Sequence, residues 1–315
     1  MIHHLLVPDL LEPPPAGMET ADIPRFPVLE RLLARADKKV APGNLDTNLF
    51  RLFHLQEHAP AAAPLCWLAD SGEEVCGWVL QAAPVYLRAD RDQVLLFPLE
   101  EKQMDLQQAE RFISAFNRHF AEDGLVLKAA SPLRWYLFTQ TPVCSGFADL
   151  SRVAGRSMAS FLPQGKDERF WRSVINETQM LFFQQEENEA RQAQGWLPVS
   201  GLWFSGAGML PEKRPVAPAE TAGEYCLLAG LKRYAASMDP DRSVMVIDAL
   251  ARAHRELDAE NWLQEIRELE RQLTTLVRTA EEIRLYPCQG TAYHWKSRMK
   301  YRLWRKVKSI KGKDF

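Results

Sequence analysis

The chain has 315 residues, 46% of them hydrophobic and 25% charged. It can bury one large core or two ordinary ones, which excludes a disordered, collagen-like or coiled-coil chain. Thirty-nine Lys and Arg against 41 Asp and Glu give a net charge of −2, so whole-chain charge does not point to nucleic acid or an anionic membrane.

That balance hides a split. Residues 296–315 hold nine Lys and Arg and a single acid, Asp314, which leaves a net of −10 on the rest of the chain. No run of about 18 apolar residues is present to span a bilayer, and the opening Met1-Ile2-His3-His4-Leu5-Leu6 lacks the cationic start of a signal peptide, so a cytoplasmic protein is expected. Five cysteines without a C-x-x-C pair predict buried free thiols rather than disulfides or structural zinc.

Ile2 to Val7 reads as a short buried strand, followed by a proline-rich connection through Pro15 that no helix crosses. Helices are predicted from Pro27 to Arg35 and from Leu45 to about Gln56, the second capped by Asn44. Between Leu65 and Phe97 four short β-prone runs predict a meander. Asp105 should cap an amphipathic helix carrying Phe112, Phe116 and Phe120 on one stripe, and strands follow at Leu125–Lys128 and Trp135–Phe138. Asp167 should cap a helix with Trp171, Val174, Ile175, Thr178 and Phe182 inward. A strand through Trp203 feeds a turn at Gly206 and Gly208, and Glu224–Tyr234 reads as a helix. A strand at Val244–Ile247, one or two long helices over Ala249–Thr279 and two further β-prone pieces complete the pattern. The fold class is α/β, a mixed sheet flanked by helices. Its expected parts are an N-terminal α/β region over 1–155, a motif-bearing α/β region over 156–294, and a basic tail over 295–315. Trp295, Met299, Leu303 and Val307 at spacings of three or four predict that the tail is an amphipathic helix to about Lys308 that packs on the acidic body. Contact with nucleic acid or a membrane surface would come only through this tail.

Three constellations bear on chemistry. His54-x-x-Glu57-His58 matches a zinc pattern in which two imidazoles one helical turn apart bind the metal, a match too short to commit a metal to. Gly206-Ala207-Gly208 allows close backbone approach, although the third glycine and the helix of a dinucleotide loop are missing. Asn176, Glu177, Gln179, Asn188 and Arg191 gather amide, carboxylate and guanidinium groups that could hydrogen-bond a polar ligand, or could instead pin a helix to its exit turn. The ligand reading predicts that Asn176, Gln179 and Arg191 converge on Gly206 and Gly208, beside Trp203.

Leu162-Pro163-Gln164-Gly165-Lys166-Asp167, Trp171-Arg172, Asn176 to Met180, Asn188, Arg191 and Leu202 to Gly208, with Pro84 to Asp92 and Trp304-Arg305, resemble a bacterial family. It is the RpfE-type regulatory family, also labelled cofactor-independent phosphoglycerate mutase. The resemblance implies that the second half is similar to part of the alkaline phosphatase superfamily, whose mutases use two metals and a Ser or Thr nucleophile. It also implies departures: the family pattern has histidines where this chain has Tyr86, Phe183 and Gln185, and an aspartate in place of Ala83. The expectation is a divergent regulatory or ligand-binding protein without turnover or cofactor, taking a small polar or phosphorylated ligand or a protein partner. The alternative is a mutase or phosphotransferase dependent on Mn²⁺ or another divalent metal.

Overall fold

A computed structural model describes the chain except residues 16–17, 19–22, 56–60, 101–102 and 311–315. It divides into two compact units, Met1–Ala59 together with Lys213–Phe315, and Pro60–Glu212. The fold is a mixed α/β one, with sheets flanked by helices.

The first unit opens with β1 (Ile2–Leu6), α1 (Pro27–Arg35), β2 (Asp37–Val40) and α2 (Leu45–Leu52). Pro27 starts α1, where its fixed φ and missing N–H cost nothing. The Asn44 side chain caps α2 by accepting from Thr47 N at 2.7 Å, as the sequence predicts. The helix stops at Leu52, short of Gln56, and His54 takes a left-handed φ of 61°.

The second unit contains α3 (Ala62–Ser71), β3 (Trp78–Asp90), β4 (Gln93–Pro98), α4 (Leu106–His119), β5 (Val126–Ser131) and β6 (Arg134–Thr139). After these come β7 (Ser145–Gly146), α5 (Leu150–Val153), β8 (Gln164–Gly165), α6 (Glu168–Phe183), α7 (Glu186–Ala193) and β9 (Gly201–Gly208). Its main sheet runs β4-β3-β6-β5 with β9 also paired to β3, all antiparallel. Phe112, Phe116 and Phe120 enter the core with Trp135, Trp171, Phe182 and Trp203. The predicted meander begins differently: Leu65 to Leu68 lie in α3, whose residues from Ala62 to Leu68 are all buried. An apolar run buried on every side has no period to separate helix from strand.

The chain returns to the first unit with β10 (Val216–Ala222), α8 (Cys226–Tyr234), β11 (Ser237–Val246), α9 (Ala249–Arg255), α10 (Ala259–Thr279), β12 (Glu282–Tyr286) and β13 (Thr291–Lys296). The sheet order is β10-β11-β1-β12-β13-β2, parallel through β12 and antiparallel thereafter. Trp262, Ile266, Leu269 and Leu273 of α10 are buried, as their spacing predicts, in a core with Leu5, Val7, Leu29, Ile283 and Leu285. Each large side chain removed from water contributes about 1.5–3 kcal/mol. Phe26 offers no side-chain cap to α1, and the Glu270 carboxylate of α10 accepts from Val28 N and Leu29 N instead, at 2.8 and 2.9 Å.

The compact units are Met1–Ala59 with Lys213–Phe315 and Pro60–Glu212, whereas the sequence suggests parts bounded near 155 and 294. Because β1 pairs with β11 and β12, the two ends of the chain share one core, a long-range pairing that local composition does not encode. The basic tail is not a helix either. Trp295 belongs to β13, a 3₁₀ turn covers Ser297–Tyr301, and no further helix is formed through Ile310. Trp295 and Met299 pack inward as expected, whereas Leu303 is 76% exposed. No helix among the described residues is long and apolar enough to cross a membrane.

Candidate functional site

In the second unit, the polar residues singled out in the sequence are placed by α6, α7 and β9, and they do not converge. Asn188 is buried and wholly engaged by backbone: its amide donates to Phe182 O and Val199 O at 2.8 and 3.0 Å and accepts from Val199 N at 2.8 Å. Arg191 is fully buried, with Nε on Leu197 O and Nη1 on Gln103 O and Gln108 Oε1. Burial lowers its pKa, and Asp105 opposes that shift. Glu177 accepts from Ser173 and pairs with His119 at 3.1 Å, and these bonds hold its carboxyl below the usual range. Asn176 is exposed, and Gln179 lies over Gly201. Trp203 is a core residue that donates to Ala148 O at 2.8 Å. Gly206 and Gly208 serve a close backbone approach: a Cβ on Gly208 would stand 2.3 Å from Ala61 Cβ, and one on Gly206 3.2 Å from Ala63 N. They seat β9 on the start of α3.

Asp167 does not cap α6. Its carboxylate accepts from Cys144 N, Ser145 Oγ and Trp171 Nε1, tying the β7 segment to the helix. The zinc pattern is not formed on a helix, since His54 follows the end of α2 in a left-handed conformation; Glu57 and His58 lie outside the described residues. Among the described residues, no three His, Cys, Asp or Glu side chains gather to hold a metal ion.

The first unit holds polar groups that the sequence reading passed over. Register places Ile2 opposite Arg242 and Glu282, His4 opposite Arg284, and Leu6 opposite Tyr286. Strand alternation therefore puts His4, Arg242, Glu282, Arg284 and Tyr286 on one sheet face, with His294 beside Arg284 on β13. His4 is 2% exposed; its ring stacks on Tyr286 at 5.8 Å, and Nδ1 lies 3.1 Å from the Tyr286 hydroxyl. Arg284 hydrogen-bonds that phenol oxygen and also donates to Glu282 at 2.7 Å. Arg242 donates to Asp239 and to Leu52 O, both at 2.6 Å. Burial, then Arg284, Arg242 and His294, push the His4 pKa down to about 3, so the imidazole is neutral. Burial raises the Tyr286 pKa. Two buried nitrogens in this cluster have no partner, His4 Nε2 and Arg242 Nη2. With Tyr286 donating to Nδ1, the His4 proton sits on Nε2, so both are donors. The sequence signal is slight: Glu282 and Arg284 alternate with Ile283 and Leu285 in β12, while His3 and His4 adjoin in β1 and Arg242 lies in the polar half of β11.

The carboxyl ends of the parallel strands, where open α/β sheets usually bind ligands, carry Asp9 after β1 and Cys288 after β12. Both have left-handed backbones, φ 60° and 61°. Burial, reinforced by Asp9 and Asp46, pushes the Cys288 thiol up to about 12, so it is neither a thiolate nucleophile nor a ready metal ligand. Tyr225 donates to Asp46 at 2.6 Å, Gln289 to Glu12 at 2.7 Å, and His254 contacts Pro13 O at 2.9 Å, so this rim is tied together from within the chain.

No family model and no curated protein matches this sequence. Among solved structures, the chain is similar to "Structure of PH0037 protein from Pyrococcus horikoshii", with a TM-score of 0.50 and 12% identity over 93% of this chain and 87% of that one. This is a likeness of fold alone. The chain is also distantly similar to the cofactor-independent phosphoglycerate mutase from Thermoplasma acidophilum DSM 1728, with a TM-score of 0.37 and 13% identity over 93% and 89% of the two chains. That similarity carries no argument about chemistry.

Proposed function

We propose that this protein is a regulatory or ligand-binding protein that holds a small anionic ligand, a phosphate ester or carboxylate, without turning it over. The observation that supports this reading is the pair of buried, unpartnered donors, His4 Nε2 and Arg242 Nη2, on the sheet face that also carries Arg284. A buried donor without an acceptor costs about 1–3 kcal/mol, which an oxyanion would recover. Arg284 is 30% exposed and gives the cluster a route to solvent. With Nε and Nη1 of Arg242 held by Asp239 and Leu52 O, its Nη2 is the group left to donate a charge-assisted bond to a phosphate or carboxylate oxygen. Neutral His4 adds a donor without adding charge.

The alternative is a metal-dependent mutase or phosphotransferase, which rests on the sequence resemblance. Calorimetric titration with 3-phosphoglycerate and with inorganic phosphate tests the first reading. Binding should be measurable in the intact protein and should weaken about tenfold or more in Arg284→Ala. Unchanged binding in both Arg284→Ala and Arg242→Ala removes the site. Stoichiometric metal in the purified protein, with interconversion of 3- and 2-phosphoglycerate on adding Mn²⁺, establishes the alternative instead.

A further inference from the structure

We infer that the segment following β13 is a docking surface for an anionic lipid bilayer. It is a fastened loop. Met299 is buried in the core of the first unit, and Ile310 packs against the same core. Between these anchors Arg302 donates to Arg35 O at 3.1 Å and pairs with Asp37 at 2.5 Å, and Arg35 returns a bond to Lys300 O. On this fixed support Tyr301, Leu303 and Trp304 are 69%, 76% and 75% exposed. Three large apolar side chains held in water within four residues form a patch of the kind that marks an interaction site.

The surrounding charge selects the partner. From Lys296 to Ile310 the segment has no acid, and Arg298, Lys300, Arg305 and Lys306 are exposed around the apolar residues. Beside it Asp37 and Glu282 are engaged by Arg302 and by Arg284 and Lys296, and Glu281, whose carbonyl accepts from Ser297 N, is an exposed acid at its start. The chain outside residues 296–315 carries a net −10, so this segment is the cationic exception in an acidic chain. Cationic side chains around Trp, Tyr and Leu match the interface of an acidic leaflet, where the rings sit at headgroup level and the aliphatic chain enters the acyl boundary. Leu303 separates this from a nucleic-acid surface, because it gains from hydrocarbon and offers no face for base stacking.

The test is co-sedimentation of the full-length protein with vesicles of phosphatidylcholine alone and with about 30% phosphatidylserine. The serine-containing vesicles should bind about tenfold or more tightly, and raising the salt should release the protein. Leu303→Ser with Trp304→Ser should lower binding about tenfold without moving the melting temperature, since both side chains are exposed; Arg305→Glu with Lys306→Glu should lower it at least as much. Absence of binding to the acidic vesicles overturns the inference, as does binding that the Leu303 and Trp304 changes leave intact. Preferential binding of single-stranded DNA, competing the protein off the vesicles, overturns it in favour of a nucleic-acid surface.

Discussion

The Tyr286 hydroxyl lies 3.1 Å from His4 Nδ1, joining the two middle strands of the six-stranded sheet by a side-chain bond between stacked rings. The Arg284 bond to the phenol oxygen leaves the hydroxyl proton for Nδ1, so the native state favours a neutral imidazole at this position. The His4 pKa near 3 has a consequence for acid stability. The unfolded chain protonates this histidine near pH 6.5, whereas the folded chain resists until about pH 3. The unfolded state therefore binds the extra proton, and stability falls as pH drops from about 6.5 toward 3. By pH 5 the loss from this group is about 2 kcal/mol. Denaturant melts at pH 7 and pH 5 should show a smaller acid loss in His4→Phe than in the unaltered protein. An equal loss in both would place the acid sensitivity elsewhere.

Gly208 stands against Ala61 so closely that a methyl group has no room, with 2.3 Å between the two Cβ positions. Gly208→Ala should lower stability by about 1–3 kcal/mol through the overpacking it forces. Ala61→Gly removes the opposing methyl group, so the double variant should recover part of the loss, and the coupling between the two changes can be read from thermal melts of the four proteins. Strictly additive losses would mean that Gly208 is needed for something other than this contact.

Cys288 is buried, and its thiol is raised to about 12, while Cys76 and Cys144 are exposed. Iodoacetamide at about pH 8 should label Cys76 and Cys144 in the native protein and reach Cys288 only after denaturant is added, because the thiolate is the reacting form. Peptide mass mapping reads this directly. Fast native labelling of Cys288 would show an accessible thiolate and return it to consideration as a reactive group.

What could be read in advance was what is local. Asn44 and Asp105 cap the helices predicted for them, and the stripes Phe112, Phe116, Phe120 and Trp262, Ile266, Leu269, Leu273 face the cores, because capping and helical period are properties of neighbouring residues. Asp167 satisfied the same capping rule, yet its carboxylate is drawn to Cys144 and Ser145, brought near by the fold. Asn188 and Arg191 carry amide and guanidinium groups that by sequence suit a polar ligand or a network pinning the helix to its exit turn equally well. Their partners are the backbone groups of Phe182, Val199, Leu197 and Gln103, and a sequence does not show which carbonyls a turn will leave unpaired. The His4, Arg242 and Arg284 cluster was hidden for the opposite reason: its members are adjacent only after strands from the two ends of the chain are in register.

That register sets a delay on synthesis. β1 is made well before its partners β11 and β12, which follow some 240 and 280 residues later, as in the pairs Leu6–Val246 and Leu6–Tyr286. At about 5–20 residues per second, tens of seconds pass with Leu5, Leu6 and Val7 made but unpaired. The stretch Pro60–Glu212 is contiguous and can collapse meanwhile. A nascent chain stalled before residue 282 is therefore expected to expose β1 as a sticky, chaperone-accessible edge, and emergence of β12 and β13 is the event that closes the first unit.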